Sequence, residues 1–564
     1  MADAYTGADL FVEALERYGV EHVFGNPGTT ELPILEALAD GDLEYVLGLH
    51  EDIAVGMAAG YAQTRRYHSH HADVLPAGVV ALHVTPGLAH GLANVYAASF
   101  TGAPLVVTAG NHERDFRHEE PILHGDLAAM VDQFTKWSDE VLAVDALPTM
   151  VRRAFRVALT PPTGPVFLAL PADVMRSVTR PDAIEPLGPI PSAGRGDPTQ
   201  IDHAVDVLVN ADEPVLILGD AVARSGTDAV DAAVAFAEAA GTRVHAEILS
   251  SEVTFPTRHD QWVSHLPLRE GDASMLMDTD TIVFVGTSTN TTLLPHDDEL
   301  LDPDTAVVHV GDDAWEVGKN HPVDAPIVGD PGLVLDELAD RFQEGLPASE
   351  RERRIERVKE VKQSLEPTFE SMSVDEKPEG ETRAGKHELV DALSDVAGAA
   401  YIVDEGITAK APLLLRYDME PEGFISNKGG GLGYGLPAAV GAALAESQRD
   451  DPRDVVGYVG DGSYLYYPQA IYSAARYDLD LTVVVPDNRN YRILKDNALE
   501  LFGGPEADRN FVGMDFDPPV DIVTNAESHG ARGHLVETPA EIAPTLETAL
   551  EASGVDVVDV LVHD

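Results

Sequence analysis

The chain contains no cysteine. Disulfides, thiolate metal sites and cysteine nucleophiles are therefore excluded. Basic residues are also short: 38 Lys and Arg stand against 96 Asp and Glu, a formal net charge of -58. Nucleic acid is not expected as a partner, because phosphate contacts need clustered cations. No apolar run is long enough to span a bilayer, so no membrane partner is expected either. The opening residues, MADAYTGADLFVEAL, lack the basic and apolar regions of a signal peptide, and the expectation is a soluble cytoplasmic protein. The acids are interspersed with regular apolar segments, which marks a folded chain rather than a disordered one. Such a surface repels itself at low salt and is screened by concentrated salt, so the simplest reading is a halophile protein.

A length of 564 residues implies about three domains. Three blocks emerge, at 1–182, 199–345 and 382–564. Each alternates apolar β-branched runs with amphipathic helical segments, as in GVVALHV, PLVVTAG, PVLILGD, TIVFVGT, AYIVDEG and DVVGYVGDG. That pattern predicts parallel sheets with both faces covered: an α/β fold of three doubly wound domains. A Pro/Gly-rich linker, PDAIEPLGPIPSAGRGDP, follows the first block. The charged stretch ASERERRIERVKEVKQSLEP reads as an exposed helical connector before the third. The first and third blocks match in size and style, as two related domains would.

The segment GDGSYLYYPQAIYSAARYDLDLTVVVPDNRNY, Gly460 to Tyr491, carries the most chemistry. It reads as the end of one strand, a helical crossover and a second strand. A right-handed crossover sets the two strands side by side, about 5 Å apart. Asp461 and Asn488 then lie at one sheet edge, within reach of one ion. Their oxygens suit Mg²⁺ or Ca²⁺; zinc prefers nitrogen or sulfur. Gly462 allows close backbone approach, and Ser463 opens a helix whose N-terminus favours anions. The unit is suited to a metal–diphosphate.

The Gly-Asp-Gly followed by Asp-Asn resembles the fingerprint of thiamin-diphosphate enzymes, with Asp487 in place of the family's first Asn. The resemblance implies Asp461, Asn488 and the backbone carbonyl of Asn490 as metal ligands. It also implies Glu51, at the strand-to-helix junction of EYVLGLHEDIAVGMAAGYAQTRR, as the acid facing the cofactor's aminopyrimidine ring. The chain is similar throughout to the 2-oxo acid decarboxylase and acetolactate synthase superfamily, which has pyrimidine-binding, central and diphosphate-binding domains. It most resembles benzoylformate decarboxylase. On that resemblance FGNPGTTELP places Thr29 near the substrate. ALHVTPGLAHGLANVYAAS and FPTRHDQW place His83 and His259 as proton-relay histidines. DEGIT and SNKGGGLGYGLP bring Thr408, Gly431 and Leu432 to the cofactor, and Tyr491 is a further contact. The implied activity is decarboxylation of a 2-oxo acid by thiamin diphosphate and Mg²⁺, in a homodimer or homotetramer whose subunits share sites. An acetolactate-synthase-like carboligase and a catalytically silent homologue are the alternatives. His68, His70 and His71 are read as a surface loop, and GGGLGYG does not fit a dinucleotide fingerprint.

Overall fold

The computed structural model describes residues 5–39, 41–181, 184–296 and 298–564. The expected bounds at 1 and 182 lie outside the described residues. Three six-stranded sheets are present. The first holds β1 (His22–Gly25), β2 (Glu44–Leu47), β3 (Gly78–His83), β4 (Leu105–Asn111), β5 (Ser138–Glu140) and β6 (Val166–Pro171). The second holds β7 (Val215–Leu218), β8 (Arg243–Ala246), β9 (Trp262–His265), β10 (Thr281–Val285), β11 (Ala306–Gly311) and β12 (Ala325–Val328). The third holds β13 (Tyr401–Glu405), β14 (Phe424–Ser426), β15 (Val455–Val459), β16 (Leu481–Asp487), β17 (Arg532–Val536) and β18 (Val555–Leu561). Every pairing between these strands is parallel.

The first and third sheets have the same order, β2-β1-β3-β4-β6-β5 and β14-β13-β15-β16-β18-β17. The central sheet runs β12-β11-β10-β7-β8-β9, so its order reverses between β7 and β10. The sequence periodicity already implied related outer domains, and the strand order shows the relation directly.

The two outer domains also share a core. The helix Glu51–Ser69 is buried almost throughout and packs on the helix Gly435–Glu446. A Cβ at Gly60 would strike the Ala438 carbonyl, and one at Gly441 the Met57 carbonyl, so glycine on each helix lets the backbones meet. One apolar cluster accordingly runs from Ile53, Ala58 and Leu82 through to Val440, Val459 and Val483.

The charged connector forms the helix Ala348–Ser373, but it is more than an exposed link. Arg354 is 1% exposed and donates to the carbonyls of Leu208, Val209, Ala211 and Ala240 at 2.6–3.2 Å. One arginine thus docks the helix on the central domain. Polar periodicity alone could not show this, because the partners are backbone groups far away in sequence.

The central domain is tied to both others by buried charge. Lys428 Nζ donates to Asp220 Oδ2 at 2.8 Å and to Glu247 Oε1 at 2.5 Å. Glu252 accepts from Arg66 at 2.7 Å, from Arg224 at 2.9 Å and from the Tyr67 hydroxyl at 2.8 Å. Burial alone would push the Asp220 carboxyl up, but Lys428 and Arg224 override it and hold it well below the usual carboxylate range. Burial likewise works against the Lys428 ammonium, and Asp220 and Glu247 override it and raise its pKa.

Removing one partner of a buried ion pair strands the others, at a cost of about 3–5 kcal/mol. Lys428→Ala is therefore expected to lower unfolding stability by about that amount in urea titration. The sign of the pH dependence follows from the two shifts. The Asp220 contribution is present above its unfolded pKa, about 4, and is lost as pH falls through the lower folded value. The Lys428 contribution is present below about 10 and is lost as pH rises through its raised value. The wild-type minus Lys428→Ala difference should be flat between those limits and shrink outside them.

Candidate active site

In an open parallel sheet, ligands bind outside the carboxyl ends of strands where the order reverses. In the third sheet that point lies between β13 and β15. A cavity there is lined by Thr408, Leu432, Asp461, Ser463, Asn490 and Tyr491, among others. Asp461 follows β15, and β16 runs beside β15 with Val456 opposite Thr482. The crossover therefore brings the aspartate and the Asp487–Asn490 loop to one edge, as the spacing predicts.

The polar atoms in this cavity are arranged for a ligand. Asp461 Oδ2, Ser463 Oγ and Asn490 Oδ1 are buried without a hydrogen-bond partner among the described residues. Leaving such groups unpaired costs about 1–3 kcal/mol each unless something binds them. Asp461 Oδ1 accepts the Gly462 amide at 2.9 Å, which fixes the carboxylate plane. A Cβ at Gly462 would meet the Tyr491 ring at 2.7 Å, so the glycine admits that ring against the loop. Thr408 sits in the turn Ile407–Ala409, where Ile407 holds a left-handed φ of 47°. Such a conformation is rare for a β-branched residue. A Cβ at Gly431 would meet nothing, so that position faces open space beside Leu432. The donor set of carboxylate, carboxamide and hydroxyl fits a hard cation and a diphosphate.

Asp487 alters the electrostatics. Burial and the neighbouring Asp487 carboxylate push Asp461 up to about 8. Asp559 is pushed up to about 7 by burial and then by Asp487. The Asn488 amide donates to Asp564 Oδ1 at 2.8 Å, and the Asn490 amide donates to Asp564 Oδ2 at 2.8 Å. Asp564, just beyond the end of β18, thus braces the Asp487–Asn490 loop, a contact that local spacing did not reveal. Lys386 also lines the cavity and was missed for the same reason.

A second group lies at the carboxyl edge of the first sheet. β3 ends at His83, whose Nδ1 is 2.9 Å from Glu31 Oε2 and 3.1 Å from Thr30 Oγ1. Glu31 is 2% exposed, and its other oxygen accepts the Gly110 amide at 2.9 Å. Hydrogen bonding to Glu31 raises the His83 pKa against the opposing effect of burial. Gly28 is needed here, since any Cβ would collide with the His83 ring. Sequence reading singled out Thr29, which is exposed; the hydroxyl that reaches His83 is that of Thr30. Glu31 was missed outright, although the Glu of GTTELP, two residues after Thr29, was the available signal. Glu51 begins its helix, and Oε2 lies 3.0 Å from His90 Nδ1.

His259 does not join either group within the chain. Its Nδ1 accepts the Gln261 amide at 3.2 Å, and its Nε2 lies 3.3 Å from Glu238. The cavity it lines is formed by residues of the central domain and the connector helix. Within the FPTRH turn the His259 ring packs edge-on against Phe255, which in turn stacks on Trp262, so the turn is held on the central domain. The histidine tract also differs from expectation. His68 lies within the helix, 2.9 Å from buried Glu446, and His70 lies 2.6 Å from Glu422, so the tract joins the outer domains.

Comparison with known proteins accounts for this arrangement. Residues 5–135 match the N-terminal thiamine pyrophosphate-binding domain of thiamine pyrophosphate enzymes, 201–338 the central domain and 409–560 the C-terminal binding domain. The chain belongs to the thiamine pyrophosphate enzyme family. Benzoylformate decarboxylase of Pseudomonas aeruginosa is 30% identical, covering 96% of each chain. Acetolactate synthase of Bacillus subtilis is 27% identical over 98% of this chain and 92% of the relative. Among solved structures, the 4-hydroxybenzoylformate decarboxylase of Rhodococcus jostii superposes with a TM-score of 0.84 at 28% identity, covering 99% of each chain. This enzyme is therefore a thiamin-diphosphate enzyme of the decarboxylase and acetolactate synthase group. No helix among its described residues is long and apolar enough to cross a membrane.

The His83–Glu31 contact can be tested directly. Glu31→Gln should bring the imidazole pKa of His83 down toward about 6.5, followed by NMR titration of the ring protons. An unchanged titration would detach Glu31 from His83.

Proposed function

We propose that this enzyme is a thiamin-diphosphate- and Mg²⁺-dependent decarboxylase of a benzoylformate-like 2-oxo acid, releasing an aldehyde and CO₂. The unpartnered buried trio of Asp461, Ser463 and Asn490 at the strand-order reversal carries the reading. When bound, thiamin diphosphate supplies the electron sink for loss of CO₂. Asp461, Asn488 and the Asn490 carbonyl hold the Mg²⁺. Ser463, the Gly462 region and Thr408 hold the diphosphate. Leu432 would support the cofactor from below, with Gly431 and Tyr491 as further contacts. Glu51 hydrogen-bonds the aminopyrimidine nitrogen. His83, whose pKa is raised by its hydrogen bond to Glu31, would deliver a proton to the reacting carbon. Thr29, exposed on the same loop, faces the substrate carboxylate. A homodimer completes each site by setting the first domain of one subunit against the third domain of its partner; a tetramer pairs two such dimers. The acidic surface suits assay in molar salt.

Carboligation is the competing reading, favoured by the near-full-length likeness to acetolactate synthase. Product analysis separates the two. Benzaldehyde from benzoylformate supports decarboxylation, and acetolactate from pyruvate supports ligation. Turnover of no 2-oxo acid in high salt would leave a silent homologue. Glu51→Gln should keep the rise in melting temperature produced by thiamin diphosphate and Mg²⁺ while losing about 100-fold or more in kcat. Asp461→Asn should lose the rise as well.

A further inference from the structure

His50, Glu51 and His90 place one possible ligand atom each within 4.8 Å of one another. We propose that these three side chains form a binding site for a borderline transition-metal ion such as Zn²⁺ or Co²⁺, separate from the Mg²⁺ site, and that the ion inhibits by taking the Glu51 carboxylate. Existence of the metal site stands on its own geometry; the inhibition rests on the role assigned to Glu51.

Two imidazoles and a carboxylate, with the fourth position left to water, are a ligand set that suits zinc. It contrasts with the oxygen donors at Asp461, which suit Mg²⁺. Two elements converge to make it. His50 and Glu51 lie at the start of the helix Glu51–Ser69, and His90 ends the helix Val84–His90. Glu51 Oε2 and His90 Nδ1 are already 3.0 Å apart. The His50 and His90 rings stack with centroids 5.0 Å apart and planes at 28°, so small rotations turn both toward one centre. The His90 side chain is 55% exposed, which gives an ion entry from solvent and lets that ring move. Burial favours neutral His50, the state a metal needs. The Tyr467 ring also packs on His50, with centroids 5.2 Å apart. His50 Nδ1 accepts the Asp52 amide at 3.1 Å, so coordination through that nitrogen exchanges one hydrogen bond for a coordinate bond.

The test uses full-length enzyme with saturating Mg²⁺, which occupies the oxygen site. Co²⁺ titration should give a visible d–d absorption band saturating at about one ion per chain. His90→Gln should weaken Co²⁺ binding by about 10–100-fold, with the fold checked by circular dichroism. His71→Gln, in the histidine tract, should leave binding unchanged. Zn²⁺ should inhibit wild type, and His90→Gln should shift half-inhibition upward at least about tenfold, measured against the variant's own rate with Mg²⁺ and no added Zn²⁺. Unchanged Co²⁺ binding in His90→Gln, or its loss in His71→Gln, overturns the site. Binding without inhibition upholds the site and removes the role given to Glu51.

Discussion

Lys428 carries its charge into a position where it and Asp220 are each 1% exposed, and the geometry of the whole chain depends on that arrangement. The lysine comes from the loop after β14, while Asp220 and Glu247 come from the carboxyl edge of the central sheet. Glu247 also accepts the amides of Asp220, Ser288 and Thr289 at 2.7–2.9 Å. These amides lie where β7 and β10 part, the crevice in which a nucleotide phosphate sits in many sheets of this order. The protein's own carboxylate takes that cradle, and Lys428 neutralises it. The crevice thus serves as an interdomain joint.

The joint matters because its lysine shares a loop with the cavity at the strand-order reversal of the third sheet. Leu432 lies four residues after Lys428 in the same glycine-rich loop and lines the cofactor cavity. Gly433 then lies against Tyr467, whose ring packs on His50 beside Glu51. A loose Lys428 would therefore disturb the cavity wall and the approach to Glu51 together. Glycine at Gly60 and Gly441 brings the two outer domains into contact, and the buried charges set how the third lies on them.

Legibility in the sequence followed the range of the interaction. Strand and helix periods marked all three sheets, because apolar alternation is a local consequence of burial. Asp461 and Asn488 were legible because a single crossover joins them. His83 was legible as the last residue of an apolar strand. Glu31, Thr30, Asp564 and Arg354 act across tens to hundreds of residues, onto partners that no local pattern marks. His259 was legible only through the short likeness around FPTRH, and within the chain its ring packs against Phe255 on the central domain.

Acidity has two different consequences in this chain. On the surface, dissolved salt screens the excess carboxylates. Inside, it cannot reach them, and each buried acid cluster needs its own cation. Asp220, Glu247 and Glu252 have theirs built in, as Lys428, Arg224 and Arg66. Asp487 has Arg489, half exposed and 3.7 Å away, and among the described residues neither Asp461 nor Asp559 forms an ion pair. Burial, and then the Asp487 charge, push Asp461 and Asp559 up to about 8 and about 7, while Lys428 and Arg224 hold the likewise buried Asp220 low. The same physical demand is met by the chain's own lysine and arginines at the interdomain joint and left open at the strand edge. Replacing the family's first Asn with Asp487 enlarges that demand, so the residue that departs from the family pattern strengthens the case for a cation at this edge.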